Sequence, residues 1–175
     1  MSHTAEMVKV LAQREDGQCE TFWASPVSGG YYAAENICVT VAIAKGDILR
    51  VENGEVTGVH IRTVGLHAVL SFRWGHNVPL KLQDRFNDLL DGAISSSGLF
   101  SEGGFATKAL LFDLADDYHD AFHDLVDTAR AGCTDDEQDA LAGNTVELSV
   151  LACPCSPLDL TPRHCETHSS YQITL

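Results

Sequence analysis

Positive charge is scarce in this sequence: 11 Lys+Arg stand against 25 Asp+Glu, a formal net charge of -14 over 175 residues. So acidic a chain repels a phosphate backbone, which disfavours direct nucleic-acid binding and leaves basic proteins, cations and small molecules as expected partners. Long apolar runs are also missing. No stretch reaches the roughly 18 consecutive apolar residues of a membrane span, and Met1 to Gln13 lacks a basic segment followed by an apolar one. The expectation is a cytoplasmic chain without membrane contact. Familiar catalytic signatures are absent as well. Ser28-Gly29-Gly30 and Glu102-Gly103-Gly104 match neither the dinucleotide fingerprint nor the Lys-containing phosphate loop, and there is no G-x-S-x-G elbow, H-E-x-x-H helix or EF-hand loop. These absences favour a protein that is not an enzyme.

What is present suffices for a folded core. Hydrophobic residues make up 45% of the chain and charged ones 21%, the balance of a globular protein in the size range of one domain. The six cysteines (Cys19, Cys38, Cys133, Cys153, Cys155, Cys165) therefore need not act as staples and read as reduced thiols.

Up to Trp74 the pattern is short β-rich runs broken by turn residues: Met7–Gln13, Cys19–Val27, Tyr31–Glu35, Asp47–Glu52, Val56–Thr63 and His67–Trp74. Such spacing predicts an antiparallel β-subdomain, a small curled sheet or barrel, over residues 1–65. Asn53-Gly54 is its strongest hairpin signal, because both residues tolerate the positive φ that a two-residue turn demands. The aromatics Trp23, Tyr31, Tyr32, Phe72 and Trp74 read as core or cross-strand pairs, with a cation cage as the alternative.

After Pro79 the period changes. Leu82, Phe86, Leu89, Leu90, Ala93 and Ile94 recur at helical spacing, and Ser95 to Gly98 forms the stop. A hairpin follows, with its turn expected at Ser101-Glu102-Gly103-Gly104 and its second strand at Ala106–Leu114. A second helix carries Ala115, Tyr118, Phe122, Leu125, Val126 and Ala129 on one side and Asp116, Asp117, Asp120, Asp124 and Asp127 on the other, closing at Gly132. A short helical piece at Asp135–Leu141 and a strand at Thr145–Leu151 complete a strand, helix, strand, strand, helix, strand order. That order predicts an α+β chain whose residues 66–152 form a ferredoxin-like split βαβ half, followed by a polar Cys/His-containing tail over 153–175.

Two clusters are candidates for function. The aspartates of the second helix, extended by Asp135, Asp136 and Glu137, form a face that suits a basic protein partner, as in an immunity or inhibitor protein; the plainer meaning of such a face is solvation. The tail places Cys153-Pro154-Cys155 ahead of His164-Cys165 and His168. Thiolates and imidazoles are the donors that tetrahedral zinc prefers, so Cys153, Cys155, Cys165 and His168 are the candidate ligands of a zinc ion that would pin a tail lacking its own core. C-x-C is less common than C-x-x-C in such sites, and the plainer meaning is an exposed tail whose thiols happen to lie near one another. His119 and His123 share a helix face at i, i+4, but Asp120 stands where a zincin carries Glu, and they read as covering the buried stripe. A free sheet edge also offers a route to a homodimer.

Phe22-Trp23, Tyr31-Tyr32-Ala33-Ala34-Glu35-Asn36-Ile37, Gly46-Asp47-Ile48-Leu49 and Gly98-Leu99-Phe100-Ser101-Glu102-Gly103-Gly104 resemble an uncharacterised bacterial family, the domain of unknown function 4265. The resemblance implies a shared fold and assigns no residue a role. The Cys/His tail lies outside its pattern.

Overall fold

The computed structural model describes residues 6–38, 40–104, 107–113, 117–156, 158, 160 and 167–175. The chain is mixed α+β. Strands β1 (Val8–Gln13), β2 (Cys19–Pro26), β3 (Tyr32–Ala34), β4 (Ile48–Glu52) and β5 (Glu55–Ile61) run as an antiparallel meander that closes into a barrel. Closure comes from a parallel contact between β1 and β5, where the Leu11 N–H donates to Gly54 O at 2.9 Å. Alternation explains the interior: Val10 and Ala12 of β1 and Phe22 and Ala24 of β2 point inward with Leu49, Val56 and Val59. Asn53 (φ 53) and Gly54 (φ 84) make the two-residue turn between β4 and β5, with Glu52 opposite Glu55.

The second half is built on a five-stranded sheet. Its strands are β6 (Leu66–Arg73), β7 (Phe100–Gly104), β8 (Thr107–Phe112), β9 (Thr145–Ala152) and β10 (Tyr171–Thr174), in the order β10-β9-β6-β8-β7 with every neighbouring pair antiparallel. Helices α1 (Leu80–Ser97) and α2 (Tyr118–Ala131) pack on one face, and the short α3 (Asp135–Leu141) precedes β9. The helical stripes bury Leu82, Phe86, Leu90 and Ile94 from α1 and Phe122, Leu125, Val126 and Ala129 from α2 against Leu66, Ala68 and Leu70 of β6. A capping box starts α3: the Glu137 N–H donates to Thr134 Oγ1, and the Thr134 N–H donates to the Glu137 carboxylate at 2.9 Å. That donated hydrogen bond, ahead of the Arg85 guanidinium, lowers the pKa of Glu137.

Two expectations are corrected. The hairpin of β7 and β8 does not turn at Ser101 to Gly104, because those residues are themselves strand, with Gly104 opposite Thr107. The reason is tertiary: Glu102 reaches the barrel, accepting from Asn36 Nδ2 at 2.6 Å and from the Ile37 N–H at 2.7 Å, which holds β7 extended. Nor does the tail end as a polar extension. Residues 171–174 add a fifth strand to the sheet, and Ile173 and Leu175 are buried in the core.

Glu102 is one of the polar ties between barrel and sheet, and its two acceptor bonds are part-buried. Removing it leaves the Ile37 N–H without its partner, a loss worth about 2 kcal/mol. Glu102→Ala is therefore expected to lower the urea midpoint at unchanged m-value, whereas a midpoint equal to that of the parent would show that the tie contributes nothing.

A second, buried tie organises the loop that leads into β4. Asp47 is fully buried and accepts from Arg62 Nη1 at 2.8 Å, from the Thr63 N–H at 2.8 Å and from the Ala44 N–H at 3.0 Å. Burial pushes the Asp47 carboxyl above the ordinary carboxylate range, opposed by these donors. No helix among the described residues is long and apolar enough to cross a membrane.

Candidate metal centre

The chain leaves the sheet at the end of β9 and turns at once. The Ser156 N–H donates to Cys153 O at 2.9 Å, and the Cys153 N–H donates to Ser156 Oγ at 3.0 Å, so the Cys-Pro-Cys sequence sits on a tight, doubly bonded turn. Pro154 suits this position because its fixed φ matches a turn and no hydrogen bond is lost at its nitrogen. Cys153 is buried at the edge of the sheet core, while Cys155 is exposed.

Beyond the turn, the segment reaches the barrel. Leu158 O accepts from the Val59 N–H at 2.9 Å, Leu160 O accepts from the Ala42 N–H at 3.1 Å, and Leu160 packs against the barrel core. The chain is back beside Cys155 at His168, whose side chain is buried. Tyr118, the first residue of α2, helps to place it: the Tyr118 hydroxyl donates to Ser169 O at 2.9 Å, and the Tyr118 and His168 rings meet edge to face with centroids 6.0 Å apart.

The result is a three-donor cluster. The ligand atoms of Cys153, Cys155 and His168 all lie within 4.8 Å of one another, with Cys155 Sγ 4.0 Å from His168 Nδ1. Zn–S and Zn–N bonds of about 2.3 and 2.0 Å at tetrahedral angles put sulfur and nitrogen roughly 3.6 Å apart. Small side-chain adjustments therefore bring these atoms to bonding distance of one ion. Two thiols and an imidazole form a soft, nitrogen- and sulfur-based set, wrong for magnesium or calcium and right for zinc.

No family model and no curated protein matches this chain. One solved structure, "Novel crystal structure of a hypothetical protein from Neisseria gonorrhoeae", is similar with a TM-score of 0.44 and 13% identity, covering 75% of this chain and 92% of that one. Nothing about function is carried over from that likeness.

Of the four tail residues singled out by type and spacing, Cys153, Cys155 and His168 stand together, and Cys165 lies outside the described residues. Sequence reasoning missed Ser156 and Tyr118, which shape the turn and seat the imidazole. A serine three residues after the first cysteine was a readable signal for the first; Tyr118 is distant in sequence and carried none.

The His119–His123 pair belongs to a different arrangement. His123 Nε2 is 2.8 Å from Tyr171 Oη, and the His119 ring lies 4.5 Å from that of Tyr171, so the two histidines hold β10 rather than join the cysteines. The aspartates of α2 point outward: Asp117, Asp120, Asp124 and Asp127 are exposed, Asp127 lies 3.9 Å from Arg130, and Asp116 is outside the described residues. The aromatics do not assemble as a cage. Trp23 is exposed, Tyr31 stacks on His60, and Phe72 and Trp74 stack on each other against Phe86.

Proposed function

We propose that this chain is a zinc-binding protein in which Cys153, Cys155 and His168, with Cys165 as the fourth donor, hold one ion at the base of the segment between β9 and β10. The observation that carries this reading is the convergence of three soft donors within 4.8 Å from opposite ends of that segment. Cys165 is assigned from sequence alone, by its place three residues before His168. With Cys165 as the fourth donor the ion would have no open position for a substrate, and its role would be structural. What it fixes is a connection: the segment it closes places Leu158 and Leu160 on the barrel and then delivers β10 to the sheet.

The second half is read as ferredoxin-like on the same footing. Its support is the β9-β6-β8-β7 order with all pairs antiparallel and both main helices on one face, the arrangement of a split βαβ unit to which β10 adds an edge strand.

The test is elemental analysis of protein purified without a metal-affinity tag. About one zinc per chain is expected, with affinity weakened in Cys155→Ser and in His168→Asn. Folded wild-type protein that is zinc-free and takes up none on titration would sink the proposal.

A further inference from the structure

Away from the cysteines, α1 and α2 leave an apolar groove on the surface of the sheet half. One depression of about 380 Å³ is lined by Ala93, Leu99, Ala121 and Leu125 together with Asp124, Thr128 and two serines from the end of α1. A second, of about 170 Å³, shares Leu99 and Ala121 with the first and adds Phe112, Asp113 and Asp117. The shared residues make the two parts of one groove.

Its charge is of one sign. Asp113, Asp117 and Asp124 are exposed along it, no Lys or Arg lines either part, and among the described residues none of these three forms an ion pair. The acidic face of α2 thus divides. Asp117 and Asp124, seven residues apart, border the groove with Asp113, whereas Asp120 and Asp127 do not line it. An apolar floor flanked by unpaired carboxylates is complementary to a surface that is apolar along one stripe and basic beside it.

We propose that this groove binds a basic amphipathic helix of a partner protein, with apolar side chains at i and i+3 or i+4 filling the two depressions and flanking Lys or Arg side chains meeting Asp113, Asp117 and Asp124. A neutral segment would desolvate the carboxylates without compensation. A second copy of this chain, of net charge -14, would bring its own aspartates against them.

The probe is a fluorescein-labelled 14-residue helical peptide of Leu and Lys, with a sequence-scrambled peptide of the same composition as control, measured by anisotropy at low and moderate salt. Wild-type protein is expected to bind the amphipathic peptide at least on the order of 10-fold more tightly than the scrambled one. Asp117→Lys with Asp124→Lys should weaken binding on the order of 10-fold. The same charge change on the barrel, Glu52→Lys with Glu55→Lys, should alter it less than about 3-fold. Ala121→Glu separates shape from charge: it makes the protein more acidic, yet by filling the floor it should also weaken binding on the order of 10-fold. Circular dichroism checks each variant for folding, and Asp117→Asn with Asp124→Asn replaces a lysine pair that fails to fold. Equal losses from the two lysine pairs, undiminished binding by Ala121→Glu, or no preference over the scrambled peptide would overturn the proposal. So would a wild-type dimer that Ala121→Glu dissolves, since the occupant would then be a second copy.

Discussion

Removing zinc with a strong chelator is expected to lower the thermal midpoint by roughly 10 °C and to loosen the barrel from residues 158 and 160. A ligand at about 1,000 times its Kd stabilises the folded state by about 4 kcal/mol, and a domain of this size shifts by roughly 2–4 °C per kcal/mol. Structural zinc binds with about 10–16 kcal/mol, so if four donors share the ion, losing one removes about 3 kcal/mol, on the order of 100-fold in affinity. Cys155 is exposed, so serine there disturbs no packing. Wild type and Cys155→Ser should therefore melt together without metal and separate when zinc is added. Hydrogen exchange reports the connection: the Val59 and Ala42 amides, which donate to Leu158 O and Leu160 O, should exchange faster after chelation. Midpoints indifferent to zinc in both proteins would contradict the assignment.

Acid is expected to destabilise the protein by about 5 kcal/mol through one residue. His67 on β6 is fully buried, and neither ring nitrogen has a hydrogen-bond partner among the described residues. Burial first, and the Arg62 guanidinium second, push its pKa down to about 3 from 6.5. Between those values the unfolded chain binds a proton that the folded chain refuses. The stabilisation is therefore complete above pH 6.5 and is lost as pH falls toward 3, at about 1.4 kcal/mol per pH unit. Asp47 works in the opposite direction, since its raised carboxyl favours the folded state at low pH. Leucine fits the His67 site, where the flanking residues across the sheet are Leu111 and Ala152. The unfolding free energy of His67→Leu, from denaturant titrations, should fall less than that of wild type between pH 6.5 and 4, by roughly 3 kcal/mol, with all other titrations shared. Parallel curves would show that His67 carries no such linkage.

Much of the fold was legible because its signals are local. Alternation from Met7 to Trp74 and the Asn53-Gly54 turn mark the barrel strands, and the stripes at Leu82 to Ile94 and Tyr118 to Ala129 mark the helices, because each pattern reflects which side chains one element can turn from water. The metal candidates were legible for a related reason: cysteine and histidine announce their chemistry by type, and close spacing limits where the chain can place them.

Where the local signal was weak, tertiary contacts decided. Gly103 and Gly104 favour a turn, but Glu102 is held by Asn36 and Ile37 of the barrel, and the pair remains in β7. Tyr171 to Thr174 has one buried side chain, Ile173, too short a pattern to announce a strand until β9 offers it an edge. Strand alternation alone sets His67 on the face away from Leu66, Ala68 and Leu70, where water would be expected; its burial depends on what covers that face. Asp47 and Arg62, 15 residues apart, carry no sign in the sequence that they meet away from solvent.

The sequence by itself determined the α+β character, the element order, the acidic surface and which Cys and His residues are candidate donors, since all follow from side-chain chemistry and short-range periodicity. Only the tertiary structure decided that the barrel closes, that the tail supplies a fifth strand, and that Cys153, Cys155 and His168 meet. These depend on contacts between residues far apart in the chain, whose free energy is set by burial and geometry that no local pattern encodes.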